Sequence, residues 1–215
     1  MAPDLVIFDC DGVLVDSESV SAGLLQEDLA GRGLDMGRDE IMREFIGGTM
    51  QQVGEQAAAM GADIPEGWVE SIYERMYARL ALGTPTIRGV ESALDRLDAA
   101  GVPYVVGSNG SLRKMEITLG QHPELQARLE GRIYSAHAHG VAKPDPGLFL
   151  IAAGEMGVAP ARCAVVDDSP TGCMAARRAG MACFGYAESD DGARLIAEGA
   201  KVFHSMEYLP TLLGV

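Results

Sequence analysis

The chain has few of the features that mark several common protein classes. Its four cysteines (Cys10, Cys163, Cys173, Cys183) form no CxxC pair and have no companion histidine cluster. They lie among apolar or small residues, which points to reduced, buried thiols rather than a disulfide framework or a Cys-based metal site. Aromatic residues are scarce at 6%, so the core is expected to consist of Leu, Ile, Val, Ala and Met. Positive charge is also short, with 17 Lys and Arg against 31 Asp and Glu and a net charge of −14. Such a balance repels nucleic acid and anionic membrane at long range, and neither is expected as a partner. No apolar run approaches the length that spans a bilayer. The opening Met-Ala-Pro-Asp leads into a strand-like run without a basic segment or a cleavable apolar one, so a cytoplasmic location is expected. There are no internal repeats and no low-complexity segment.

What is present is an ordinary globular mixture, 47% apolar and 22% charged over 215 residues. That length suits one domain, or one domain carrying an insertion. Leu5 to Phe8 is a short β-rich run of the kind found in fully buried parallel strands. From Ser17 to Leu82 the periodicity becomes helical: Val20, Leu24, Leu25 and Leu29, then Ile41 and Phe45, then Val69, Ile72 and Met76. Four or so helices are predicted there, separated by turns at Gly31 to Leu34, Gly47-Gly48 and Gly61 to Pro65. After Pro85 helices and strands alternate. Strands are predicted at Tyr104 to Gly107, Ile133 to Ser135, Ala164 to Val166 and Cys183-Phe184. Helices are predicted around Val90 to Leu97, Ser111 to Leu119, Pro146 to Gly157 and Pro170 to Ala179. This order implies an α/β fold, a Rossmann-like doubly wound parallel sheet with an inserted α-helical cap. The expected boundaries are 1–15 and 88–215 for the core and 16–87 for the cap.

Ligands of such sheets gather at the carboxyl ends of the strands. The first strand ends in Asp9-Cys10-Asp11-Gly12, and in extended geometry the two carboxylates share a side while Cys10 faces the other. The second ends in Ser108-Asn109-Gly110, and a later one in Asp167-Asp168-Ser169. Lys143-Pro144-Asp145-Pro146 stands immediately before a helix. Taken alone, each signal is commonly a turn, a loop or an N-cap. Together they form a set suited to phosphoryl transfer. Four clustered carboxylates need a cation, and oxygen-only ligands beside a phosphate favour Mg²⁺. Ser108 and Lys143 supply a hydroxyl and an ammonium for phosphate oxygens, and Gly12 and Gly110 allow close approach by backbone amides.

On these residues the sequence resembles the haloacid dehalogenase-like hydrolase superfamily over essentially its whole length. Asp9 to Glu18 is similar to the family's first motif, Ser108-Asn109 to its second, Lys143-Pro144 to its third and Asp167-Asp168-Ser169 to its fourth. The inserted helices resemble the small cap of the phosphoglycolate phosphatase and β-phosphoglucomutase branch. Ser-Asn-Gly followed by Lys114-Met115 is similar to bacterial sugar-phosphate phosphatases. The resemblance implies a phosphatase of small phosphorylated metabolites that acts through an aspartyl-phosphate. Asp9 would be the nucleophile and Asp11 the acid and base. Ser108, Asn109, Lys143 and Gly12 would bind the phosphate, and Asp9, Asp11, Asp168 and Asp167 would surround Mg²⁺. A monomer or weak homodimer is expected.

Other readings have weaker support. A dehalogenase would lack Asp11, and a phosphonate hydrolase would need a cap lysine, whereas no Lys lies between Asp16 and Gly83. A phosphomutase would carry a His near Ser21 and an Arg near Met50. A receiver-type signalling module or a catalytically silent binding protein fits the insertion or the full residue set poorly. Gly47, Gly48 and Thr49 lie where a substrate-facing cap loop is expected. Arg75 and Arg79 read as a solvated stripe beside Glu70 and Glu74, or as receptors for a sugar carboxylate. Arg113, Lys114, Arg177 and Arg178 read as solvated helix charges, and His137 and His139, at the spacing of a strand-face pair, as polar groups near the cleft or on the surface.

Overall fold

The computed structural model describes residues 2–45 and 49–215. Six strands, β1 (Leu5–Phe8), β2 (Tyr104–Ser108), β3 (Ile133–Ser135), β4 (Cys163–Asp167), β5 (Ala182–Tyr186) and β6 (Lys201–Phe203), form one parallel sheet. Their order is β3-β2-β1-β4-β5-β6. This is the Rossmann-like arrangement, with β1 at the centre where the strand order reverses. Phe8 stands opposite Val106 on one side and Val166 on the other, and Ser108 stands opposite Ser135. Because all strands run the same way, Asp9, Ser108 and Asp167 come off the same edge of the sheet.

Helices fall in two sets. The segment after β1 holds α1 (Ser17–Ala30), α2 (Arg38–Phe45), α3 (Met50–Ala59) and α4 (Trp68–Leu82). The remainder holds α5 (Val90–Ala99), α6 (Leu112–Leu119), α7 (Pro123–Leu129), α8 (Ala136–His139), α9 (Gly147–Glu155), α10 (Pro170–Ala179), α11 (Ala193–Ala197) and α12 (Leu209–Leu213). The two faces of β1 explain its unbroken apolar run. Val6 and Phe8 pack in a core with residues of α5, α6, α7 and α12, whereas Leu5 and Ile7 pack with those of α9 and α10. With both faces covered, neither set of alternate side chains meets water. The sequence pattern missed α7, α8, α11, α12 and β6, each too short to show a period.

The chain divides into two compact units, residues 1–15 with 86–215, and residues 16–85. Thr86 and Ile87, which the sequence pattern assigns to the insertion, belong to the sheet unit. Thr86 forms a bridge with Val15, and the Ile87 amide donates to the Leu14 carbonyl at 3.0 Å.

Within the helical unit, α4 buries Trp68, Ile72, Met76 and Leu80, a stripe of every fourth residue, while Val69 is only half-buried. Gly54 of α3 lies flat on the Trp68 ring, where a Cβ would come within 3.0 Å of it. The Trp68 indole N–H donates to Asp28 Oδ2 at 2.7 Å, and Arg32 Nε donates to the same oxygen at 2.7 Å. Arg75 donates to Asp28 Oδ1, and Arg79 pairs with Glu27. Arg75 and Arg79 therefore tie α4 to α1, which corrects the expectation of a solvated stripe beside Glu70 and Glu74. Burial pushes the Asp28 carboxyl up, but the bonds from Arg32, Trp68 and Arg75 outweigh it and hold the group below its usual range.

Candidate active site

β1 delivers Asp9, whose amide donates to the Val166 carbonyl at 2.8 Å and so continues the sheet by one residue. Its side chain is buried, as the residue is 8% exposed. Lys143 Nζ lies 2.8 Å from Asp9 Oδ1 and 2.8 Å from Asp167 Oδ2. The directional hydrogen bond goes to Asp167, so Asp9 Oδ1 is held near the ammonium by charge and has no properly aligned donor. Burial pushes the Asp9 carboxyl up to about 6; Lys143 opposes the shift, and the Asp167 and Asp11 charges add to it. Burial alone would pull the Lys143 ammonium down, but Asp167 and Asp9 reverse this and keep it charged. The ammonium also sits over the Phe149 ring, 5.3 Å from its centroid.

Asp167 is fully buried and its carboxylate is fully engaged. Oδ2 takes Lys143, while Oδ1 accepts from the Ser169 amide at 2.9 Å and the Ser169 hydroxyl at 2.6 Å. Ser169 also caps α10 by accepting from the Gly172 amide at 3.0 Å. Gly172 has no alternative, because a Cβ there would lie 1.9 Å from Asp167 Oδ2.

Asp168 lies beside the β1 loop. A Cβ on Gly12 would come within 2.0 Å of Asp168 Oδ2, and Gly12 has φ +71°. Oxygens of Asp9, Asp167 and Asp168 lie within 4.8 Å of one another.

Three contacts of single residues were not readable from the sequence. The Gly12 amide donates to the Val15 carbonyl at 2.9 Å, and the missing Cβ leaves space beside Asp168. The Asn109 side chain is committed to the Lys143 backbone, donating to its carbonyl at 3.2 Å and accepting from its amide at 2.8 Å. Lys114 is not a solvated charge; its Nζ lies 2.8 Å from Asp11 Oδ2. Ser108 is buried, and its Oγ accepts from the Gly110 amide at 3.1 Å, which leaves the hydroxyl proton to be donated. Ser135 donates to the Gly110 carbonyl at 2.7 Å and fixes the same loop.

Other predicted groups lie elsewhere. Thr49 caps α3 in a reciprocal pair with Gln52, and Gly47 and Gly48 are outside the described residues. His137 and His139 are exposed on α8, with His139 stacked on Tyr134. Arg178 donates to the Pro144 carbonyl at 2.9 Å and Arg177 pairs with Glu198. Both remain exposed on α10, as a solvated helix charge would be. The four cysteines are free and buried, with Cys10 turned into the core as the alternation predicts.

The family model described as haloacid dehalogenase-like hydrolase matches residues 3–180. The chain belongs to that family. It is 28% identical over 210 residues to a 6-phosphogluconate phosphatase of Escherichia coli, covering 97% of this chain and 94% of that one. It is 31% identical to a phosphoglycolate phosphatase of Xanthomonas campestris, covering 88% and 87%. A haloacid dehalogenase family hydrolase of Deinococcus radiodurans, solved with bound phosphate and sodium, superposes with a TM-score of 0.87 at 34% identity, covering 100% and 96%. The protein is therefore a hydrolase whose relatives are phosphatases, and its acidic cluster fits a catalytic site. Among the described residues no helix is long and apolar enough to cross a membrane.

The donor set also suits a divalent ion. Asp9, Asp167 and Asp168 bring carboxylate oxygens within 4.8 Å of one another. Clustered carboxylates favour a cation between them, and these donors are the hard oxygens that a divalent ion takes.

Proposed function

We propose that the protein is a Mg²⁺-dependent phosphatase of a small sugar or sugar-acid phosphate, with Asp9 as nucleophile. The observation that carries this reading is the buried Lys143 ammonium 2.8 Å from Asp9 Oδ1, beside a cluster of three carboxylates. That arrangement holds a nucleophile and a counter-charge for transferring phosphoryl oxygens in one place. The similarity to a 6-phosphogluconate phosphatase supports the substrate class.

In the first step an Asp9 oxygen attacks phosphorus and the bond to the alcohol oxygen breaks. The released electron pair stays on that oxygen, which takes a proton from Asp11. In the second step water attacks the aspartyl-phosphate and gives its proton to Asp11. The bond to Asp9 breaks, and inorganic phosphate leaves with Asp9 restored. Ser108 and Lys143 hold the phosphoryl oxygens in both steps. Mg²⁺ would be held by Asp9, the Asp11 carbonyl and Asp168, and would neutralise phosphoryl charge. Asp167, with both oxygens already bonded, holds Lys143 in place. The helical unit, residues 16–85, is the part assigned to substrate selection as a cap.

Ser21 and Met50 favour hydrolysis over a mutase reaction. Ser21 is buried with its hydroxyl donated to the Ser17 carbonyl, and Met50 is an apolar, buried side chain. The test is phosphate release from a panel of phosphorylated metabolites with Mg²⁺, then with EDTA, for wild type and Asp9→Asn. Loss of turnover in EDTA and in the variant is expected. Full activity of Asp9→Asn would overturn the mechanism.

A further inference from the structure

We propose that Lys114 is the positioning residue for Asp11: it orients that carboxylate and counters the charge Asp11 acquires on giving its proton to the leaving oxygen. The inference rests on the acid–base role of Asp11 given above.

Four observations carry it. Lys114 Nζ lies 2.8 Å from Asp11 Oδ2, and both side chains are largely shielded, at 21% and 17% exposure. Solvent therefore screens the pair less than an ordinary surface ion pair. The two groups also meet beside the loop that follows β2. A Cβ on Gly110 would lie 3.3 Å from Asp11 Oδ2, 3.3 Å from Ser108 Oγ and 3.9 Å from Lys114 Cδ, so the bare glycine backbone lets the three converge.

Local electrostatics do not explain the lysine. Ser111 caps α6 by accepting from the Lys114 amide at 3.2 Å, which puts Lys114 in the first helical turn. A cation there opposes the helix dipole, and that turn contains no acidic residue. The partner that compensates it comes from another element, the β1 loop. Finally, the chain has three lysines, Lys114, Lys143 and Lys201, and two of them sit against Asp11 and Asp9.

The chemistry gives the pair a distinct signature. As the phosphorus–oxygen bond breaks, the leaving oxygen gains the electron pair and takes the Asp11 proton, and Asp11 passes from neutral to anionic. An ammonium in contact favours that product. The benefit grows with the basicity of the leaving oxygen, because a basic oxygen needs the proton more. A lysine that merely anchored α6 would treat every leaving group alike.

The experiment measures kcat/KM for p-nitrophenyl, phenyl and benzyl phosphate, three ligands of similar shape and rising leaving-oxygen basicity, with wild type, Lys114→Met, Lys114→Arg and Asp11→Asn. For Lys114→Met the loss on benzyl phosphate should exceed that on p-nitrophenyl phosphate by about tenfold or more, within the range of general acid catalysis. Asp11→Asn should show the same trend more steeply, and Lys114→Arg should recover most of the lost selectivity. Equal losses of Lys114→Met on all three substrates, or no recovery in Lys114→Arg, would overturn the inference and leave the Asp11 mechanism standing. An Asp11→Asn enzyme without the trend would overturn the acid role of Asp11, and this inference with it.

Discussion

Gly12 and Asp168 are in such close contact that the glycine has room for no side chain: a Cβ on Gly12 would lie 2.0 Å from Asp168 Oδ2. The β1 loop and the end of β4 are brought together across this contact. Gly12 is also left-handed, with φ +71°, a conformation that costs other residues about 1 kcal/mol or more.

Gly12→Ala should therefore displace Asp168 and strain the loop together. Activity is expected to fall by about 100-fold or more, the scale of a catalytic group moved by an ångström, with a modest drop in melting temperature. Phosphate release and a thermal melt measure both. Wild-type turnover in this variant would show that Asp168 does not need its present position.

Asn109 is expected to act through Lys143, since both ends of its amide are bonded to the Lys143 backbone. Asn109→Ala should lower kcat by roughly ten- to a hundredfold, a loss of about 1.4–2.7 kcal/mol in transition-state stabilisation, with little change in KM. A rise in KM at constant kcat would instead mean that the side chain binds substrate phosphate.

Asp28 links helical stability to pH. Its folded-state pKa is lowered, so its contribution is fully present above the unfolded value near 3.9 and is lost as pH falls through the folded value. Asp28→Asn leaves Arg32 and Arg75 beside a neutral group and should cost about 1–2 kcal/mol at pH 7, less than breaking a fully buried pair because both guanidiniums are partly solvated. Denaturant unfolding of wild type and variant from pH 7 to 3 should show that difference shrinking below about pH 4. A difference constant over this range would separate stability from the Asp28 charge.

The strands β1, β2 and β4, and the polar residues at their ends, were legible because parallel strands buried on both faces leave unbroken apolar runs. Asp9, Ser108 and Asp167 stand where such runs stop, and the helical periodicity of residues 17–82 separated that stretch from the alternating part. The partners of the charged side chains were not legible. Lys114 read as a solvated charge because its place in α6 says nothing of the β1 loop. The one hint was a cation in the first turn of a helix, where the dipole disfavours it. Arg75 and Arg79 misled in the same way, since their apparent partners at helical spacing lost to Asp28 and Glu27 on another helix.

The sequence alone determined which side chains leave the carboxyl edge of the sheet, because strand order and the two-residue period constrain them locally. Tertiary structure decided what each one does there. Asp167 and Asp168 are neighbours in sequence, yet one is spent holding Lys143 while the other reaches the space that Gly12 leaves open. Lys114 stands against Asp11 only because the fold brings the β1 loop to the first turn of α6. Such assignments depend on approaches of a few ångströms between distant segments, and in a buried, weakly screened site those approaches set the charge and orientation of each group.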